Sequence, residues 1–456
     1  MKVLNYQGDR PMKRTVFFEL KKWQDNPHKK PLLIRGARQV GKTYIVRQLG
    51  KEFKNFVEIN FELYPDAKNI FNRDLDPARI VRDLSFFTGK KIEPGNTLVF
   101  FDEIQESPNA MKSLRYFYEM MPELHVVGAG SLLDFELEKI GLPVGRVSSV
   151  YLYPLSFMEF LAAKEEDVLI EAIIEHDTSQ KMSETAHIRL LRLLGEYMTV
   201  GGLPEVVGRF IETADLARCF KIHRTINDTY RQDFNKYADK YQVKYVDVLF
   251  NTIPAILGNK FKYTGIPGEY RKRELKPALE LLLKANIVSK VTHSSGQGIP
   301  LAAEANAEIF KMIFLDIALS QTLLGVDTGS WLLQPEVTFA NKGALTEAFV
   351  GQELQSYSLP DCRSELYYWN RETRGSSAEL DYLIQQGETI LPVEVKSGSP
   401  GKLKSLRFYL DSHKNCPFGL RFSNANFSLD SDIRSFPLYA VCRLVPRTKE
   451  LIHSLI

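Results

Sequence analysis

The chain is short of cysteine, of net charge and of long apolar runs. Its four cysteines, Cys219, Cys362, Cys416 and Cys442, include no Cys-x-x-Cys pair. That argues against a disulfide framework or a zinc ribbon and fits a reducing, cytoplasmic setting. The formal net charge of +3 is too small to argue for nucleic acid by itself. No apolar run approaches the ~18 residues that span a bilayer, so no membrane is expected. Met1 to Arg14 is polar and lacks the apolar stretch of a signal peptide. No repeat or low-complexity tract stands out.

What is present is ordinary globular composition, 44% hydrophobic and 25% charged. A length of 456 residues suggests roughly two to four domains. In the first third, short apolar runs alternate with amphipathic stretches. Strands are expected at 31–34, 56–61, 97–101, 124–127 and 147–152, with helices at 42–49 and 110–120. Strands separated by helices predict a parallel α/β sheet. The expected divisions are an α/β nucleotide-binding domain at 1–160, a helical lid or linker at 161–245, a winged-helix-like domain at 246–335, and a second α/β domain at 336–456. The winged-helix expectation rests on helical spacing over Glu274 to Ile287, a strand at 287–291 and a Ser/Gly turn at 294–298. In the last region a helix (344–354) precedes strands at 365–369, 379–384 and 390–396 and a helix at 402–410.

Gly36-Ala37-Arg38-Gln39-Val40-Gly41-Lys42-Thr43 follows the first expected strand and opens a helix, the context a phosphate-binding Walker A loop requires. Glycines let the backbone curl so that successive N–H groups point at phosphates, and the helix N-terminus adds a favourable dipole. Lys42 would reach the β- and γ-phosphates of ATP, and the Thr43 hydroxyl would ligate Mg2+. Thr97 to Phe101 is a buried strand that delivers Asp102 and Glu103 at its C-terminal end. Asp102 would hold Mg2+, and Glu103 would polarise the attacking water. This acid pair, with a strand expected between the two motifs, points to the ATPase branch with an added catalytic strand. No Asn-Lys-x-Asp guanine-reading sequence occurs. Ser131, ending Gly128-Ala129-Gly130-Ser131, is a candidate γ-phosphate sensor or only part of a turn. Arg146 is a candidate arginine finger acting on a neighbouring subunit, or a surface arginine.

On these residues the chain resembles the prokaryotic AAA-superfamily (AAA+) ATPases that carry a C-terminal domain of unknown function. The shared features are Gly36 to Thr43, Phe101-Asp102-Glu103-Ile104-Gln105, Gly128 to Ser131, Gly145-Arg146, Pro154-Leu155-Ser156-Phe157-Met158-Glu159-Phe160 and Gly201-Gly202-Leu203-Pro204-Glu205. Ala37 stands where that family often has proline. The resemblance runs through nearly the whole chain and implies ATP binding and hydrolysis. Many proteins of the superfamily form rings, so an oligomer is an expectation of the resemblance alone.

Asp381 and, thirteen residues on, Glu394-Val395-Lys396 form a second constellation. In a strand Glu394 and Lys396 share a face. With Asp381 on a neighbouring strand they could hold a divalent metal and assist a water nucleophile. The pattern resembles the PD-(D/E)xK nuclease core, and Glu347 resembles the acid of its preceding helix. A solvated ion pair, a nuclease-like fold without cleavage and an active nuclease all fit the residues. The stretch Asn259 to Lys276 holds six basic residues with Phe261, Tyr263 and Tyr270 interleaved. It could hold the phosphates of DNA or RNA, or be a solvated face or a surface that binds another domain.

Overall fold

The computed structural model describes residues 12–141, 145–326, 328–373, 376–396 and 403–444, with 450, 452, 454 and 455. The start of the Met1–Arg14 segment, residues 1–11, lies outside them, as does Lys402, where the last helix was expected to begin.

Five parallel strands form the first sheet: β1 (Leu32–Arg35), β2 (Asn55–Asn60), β3 (Thr97–Asp102), β4 (His125–Ala129) and β5 (Ser148–Tyr151), in the order β2-β3-β4-β1-β5. The period of two along each strand divides their side chains between two cores. Leu32, Ile34, Leu98, Phe100 and Val127 face one, and Leu33, Val99, Phe101 and Val126 face the other. That is why β3 reads as an unbroken apolar run, since both faces of a parallel sheet are covered. The strand placed between β1 and β3 is β4. The segment that separates the two motifs along the chain, β2, lies instead at the sheet edge.

Helices Phe157–Ala163, Asp167–Glu175, Glu184–Val200, Pro204–Thr213 and Leu216–Tyr237 follow, as the middle region predicted. Then come helices Val243–Thr252 and Lys272–Lys284 and the hairpin of β6 (Val288–Ser294) and β7 (Ala305–Phe314). The order is the one expected of a winged helix, but the hairpin is not a free wing. β6 pairs in parallel with β8 (Leu366–Thr373), through Val291 to Leu366 and His293 to Tyr368. One eight-stranded sheet thus runs β12-β13-β11-β10-β9-β8-β6-β7, with β9 (Ser376–Gln386), β10 (Thr389–Val395), β11 (Gly419–Ser423), β12 (Ser428–Asp430) and β13 (Ile433–Pro437). A boundary at 335/336 therefore passes between strands of a continuous sheet. Unpaired strand edges seek partners, and here β8 finds one far away in sequence. Helix Gly343–Ser356 packs on one face of this sheet, with Phe349 against Tyr382 and Val393, and helix Lys404–Ser412 covers β9, β10 and β11 on the other face, with Leu406 against Leu380 and Ile390.

Candidate functional site

The loop between β1 and helix Lys42–Gly50 has the backbone that its glycines permit. Gly36 sits at φ +138°, and a Cβ there would lie 2.2 Å from the Leu152 carbonyl oxygen. Gly41, at φ +96°, caps the helix. Lys42 is buried and donates to the carbonyls of Gly36 (3.1 Å) and Ala37 (2.6 Å). Burial pulls its pKa down to about 8, against the opposing pull of Glu103 and Asp102. Its ammonium is thus held inside the loop by neutral carbonyls, which a phosphate would outcompete.

Thr43 donates its hydroxyl to Asp102 at 3.0 Å, and Asn60, at the end of β2, donates to the other Asp102 oxygen at 2.9 Å. Burial, then the neighbouring Glu103, pushes Asp102 up to about 6. A hydroxyl and one carboxylate at this spacing match the sparse protein ligand set that Mg2+ takes beside phosphates. Glu103 has φ +49°, which turns the chain sharply at the end of β3. Its carboxylate accepts from Gln105 Nε2 at 2.6 Å. Gln105 lies beneath the loop after β4, where a Cβ on Gly130 would meet its Oε1 at 1.9 Å. The chain thereby brings the loop of Gly36 to Thr43, the Thr43–Asp102 pair and the Glu103 carboxylate together at the C-terminal end of the sheet, on β1 and β3 with β4 between them.

Ser131 is buried just past β4, around a small cavity it shares with Arg38, Tyr230 and Asp233. Arg146 lies elsewhere. It precedes β5, whose Ser148 pairs with Leu32 at the start of β1, so it sits at the end of the sheet away from the loop. Its Nε bonds Glu119 at 2.9 Å. It is thus not brought to the chain's own loop, and its place fits a surface arginine paired with Glu119 as well as a finger acting on a neighbouring subunit. The side chain of Arg38 reaches helix Leu216–Tyr237. Its Nη1 bonds both Asp233 oxygens, at 2.9 and 2.7 Å, and its carbonyl accepts from Tyr230 at 2.7 Å. The remaining loop residues, Gln39 (φ +64°) and Val40, complete the curl, with Ala37 and Val40 buried beneath it.

Sequence reasoning passed over several supports of this site. Arg14 donates to Val40 O (3.0 Å), Tyr153 O (2.6 Å) and Glu159 Oε2 (3.1 Å). Glu159 also accepts from Thr15 N and Oγ1 and closes a capping box with Ser156. Ser156-x-x-Glu159 carries the capping signature in plain view. Nothing in the sequence announces that the same carboxylate braces the phosphate loop through Arg14. The next residue, Phe157, donates its N–H to Glu353 of helix Gly343–Ser356 at 2.9 Å, linking the first domain to the last.

In the C-terminal sheet Asp381, Glu394 and Lys396 do meet, lining one cleft with Asn370, Arg371 and Ser405. Lys396 bonds Glu394 at 2.6 Å, and Asp381 Oδ2 accepts from Val395 N at 2.6 Å. Glu347 comes beside Asp381 across Lys311 of β7, whose ammonium lies 2.8 Å from Glu347, 3.8 Å from Asp381 and 2.5 Å from Glu379. Burial and the nearby Asp381 push the Glu347 carboxyl up, against the opposing pull of that lysine. Among the described residues no three of His, Cys, Asp and Glu are grouped to hold a metal ion.

The basic stretch 259–276 is also less open than its composition suggested. Phe261 is buried and stacked on Phe310, Tyr270 packs edge-on against Tyr245, and Lys272 and Lys276 both pair with Glu308. The aromatic residues of the stretch serve the core, because they lie on the inner side of the chain as it enters helix Lys272–Lys284. Among the described residues no helix is long and apolar enough to cross a membrane.

Residues 28–161 match the AAA domain family. Residues 191–330 and 342–441 match two domains of unknown function, DUF8612 and DUF4143. No curated protein matches. Among solved structures, the chain is similar to the Walker-type ATPase of Pyrococcus abyssi, at 17% identity over 70% of this chain and 100% of that one, with a TM-score of 0.44. It is also similar to the Orc1 protein of Aeropyrum pernix in complex with DNA (13%, 72% and 97%, TM-score 0.28) and to Drosophila ORC bound to DNA (12%, 68% and 85%, TM-score 0.26).

Proposed function

We propose that this chain is a Mg2+-dependent ATPase that works as a nucleotide-driven switch. The observation that carries the reading is the Thr43–Asp102 hydrogen bond of 3.0 Å, which joins the phosphate loop to the acid strand with Glu103 adjacent. Lys42 would leave the Gly36 and Ala37 carbonyls for the β- and γ-phosphates. Thr43 and Asp102 would hold Mg2+, which neutralises charge on the phosphate oxygens when bound. Glu103, steadied by Gln105, would take the proton of a water that attacks the γ-phosphorus, releasing ADP and phosphate. Ser131 would sense the γ-phosphate from the end of β4.

A switch reading fits the ties of the loop better than a freely turning enzyme. Arg38 and its carbonyl are fastened to Asp233 and Tyr230 of helix Leu216–Tyr237, so a change in the loop reaches the helical region directly. The output would be a protein partner or a nucleic acid engaged by the later domains. The core-packed aromatics of 259–276 and the pairing of Lys272 and Lys276 with Glu308 favour the protein partner. The test is ATP turnover of the purified full chain with Mg2+, alone and with DNA, RNA or lysate, beside Glu103→Gln. Turnover that depends on Mg2+ and falls in the variant supports the reading. Equal turnover in the two proteins overturns the role of Glu103, and stimulation by nucleic acid would move the partner from protein to DNA or RNA.

A further inference from the structure

The C-terminal sheet, read as nuclease-like, holds a cation of its own. Lys311 lies in β7 and is only 1% exposed. A buried ammonium persists where carboxylates surround it. Its Nζ lies 2.8 Å from Glu347 Oε1, 2.5 Å from Glu379 Oε1 and 3.8 Å from Asp381 Oδ1. Glu379 and Asp381 share a face of β9, two residues apart, while Glu347 arrives from helix Gly343–Ser356. The ammonium also lies 5.2 Å from the centre of the Tyr368 ring. It thus fills the space where the helix acid and the strand acid come together.

We infer that Lys311 is an internal counter-ion standing where a nuclease of this fold would hold a divalent metal, so that this cleft neither binds such a metal nor cuts nucleic acid with one. This rests on reading the last domain as nuclease-like.

The three carboxylates a metal would need are divided between two lysines. Glu347 and Asp381 face Lys311, while Glu394 is bonded to Lys396 at 2.6 Å. The second Asp381 oxygen is taken by the Val395 N–H. Small divalent ions demand several oxygen ligands in near-ideal geometry. Such an ion here would have to share Glu347 and Asp381 with an ammonium already within hydrogen-bond distance of one of them, and two cations at that range repel. The hairpin that delivers Lys311 joins the rest of the sheet through the β6–β8 pairing, so the lysine and its carboxylates lie apart in sequence and meet in the fold.

Electron paramagnetic resonance of Mn2+ added to the nucleotide-free full chain tests this. The parent and Asp381→Asn should bind the same number of ions with affinities within about twofold, because any ion at Thr43 and Asp102 cancels in the comparison. Lys311→Met should gain one ion, and Lys311→Met with Asp381→Asn should lose it again. An extra Mn2+ in the parent that Asp381→Asn removes overturns the inference. A folded Lys311→Met that gains no site overturns it too, by showing that these carboxylates are no metal frame. If Lys311→Met does not fold, the parent and Asp381→Asn decide between them. ATP binding, measured in parallel, keeps the nucleotide reading separate from either result.

Discussion

The Arg14 guanidinium bonds the Glu159 carboxylate and the Val40 carbonyl of the phosphate loop at once, at 3.1 and 3.0 Å. Both side chains are buried, so neither can turn to water if its partner is lost. Removing one member of such a pair typically costs about 3–5 kcal/mol. Arg14→Ala should therefore lower the denaturation midpoint of the first domain and weaken ATP binding by about tenfold as the loop loses its brace. A variant that unfolds and binds ATP like the parent would show that the contact is ornamental.

Gln105 donates to Glu103 at 2.6 Å, and we expect that bond to set the direction of the carboxylate. Gln105→Ala should leave ATP affinity unchanged and slow turnover by about 10- to 100-fold, the range that a small misplacement costs. Glu103→Gln should slow it by about 10²–10⁴-fold, also without loss of binding. Steady-state kinetics separate the two effects. A raised KM with kcat intact in Gln105→Ala would make it a binding residue and contradict the positioning role.

The pH dependence follows from two groups moved toward neutrality. Asp102 must be ionised to hold Mg2+, and it takes up a proton as the pH falls through about 6. Lys42 must be charged to meet phosphate, and in the free protein it loses its proton as the pH rises through about 8. The profile of kcat/KM should therefore be a bell with limbs near those values. Bound phosphates stabilise the ammonium, so the alkaline limb of kcat should lie above that of kcat/KM. A profile flat down to pH 5 would contradict the burial of Asp102.

The first domain was the most legible part of the chain because its signals are local. A strand, a glycine-bearing loop and a helix follow one another within a few residues, and an apolar run ending in Asp102-Glu103 identifies its own strand end. Ser156-x-x-Glu159 was equally visible as a helix start, yet its pairing with Arg14 spans most of the domain and leaves no local trace. The same holds for Arg38 with Asp233 and Lys311 with Glu347. Asp381, Glu394 and Lys396 came together as the strand periodicity predicted. The expectation for Glu347 did not foresee the lysine, because β7 reaches that helix only through a sheet pairing that the sequence does not announce. The three strands β11, β12 and β13 are three to five residues long, too short for periodicity to separate them from loop.

The central claim is that the loop from Gly36 to Thr43 binds Mg2+-ATP. Equilibrium titration of the parent and of Lys42→Ala with a labelled ATP analogue tests it most directly. The account predicts saturable, Mg2+-strengthened binding by the parent and a loss of at least about 100-fold in affinity on removing the Lys42 ammonium. Equal affinity in the two folded proteins, or no binding by the parent, would contradict it.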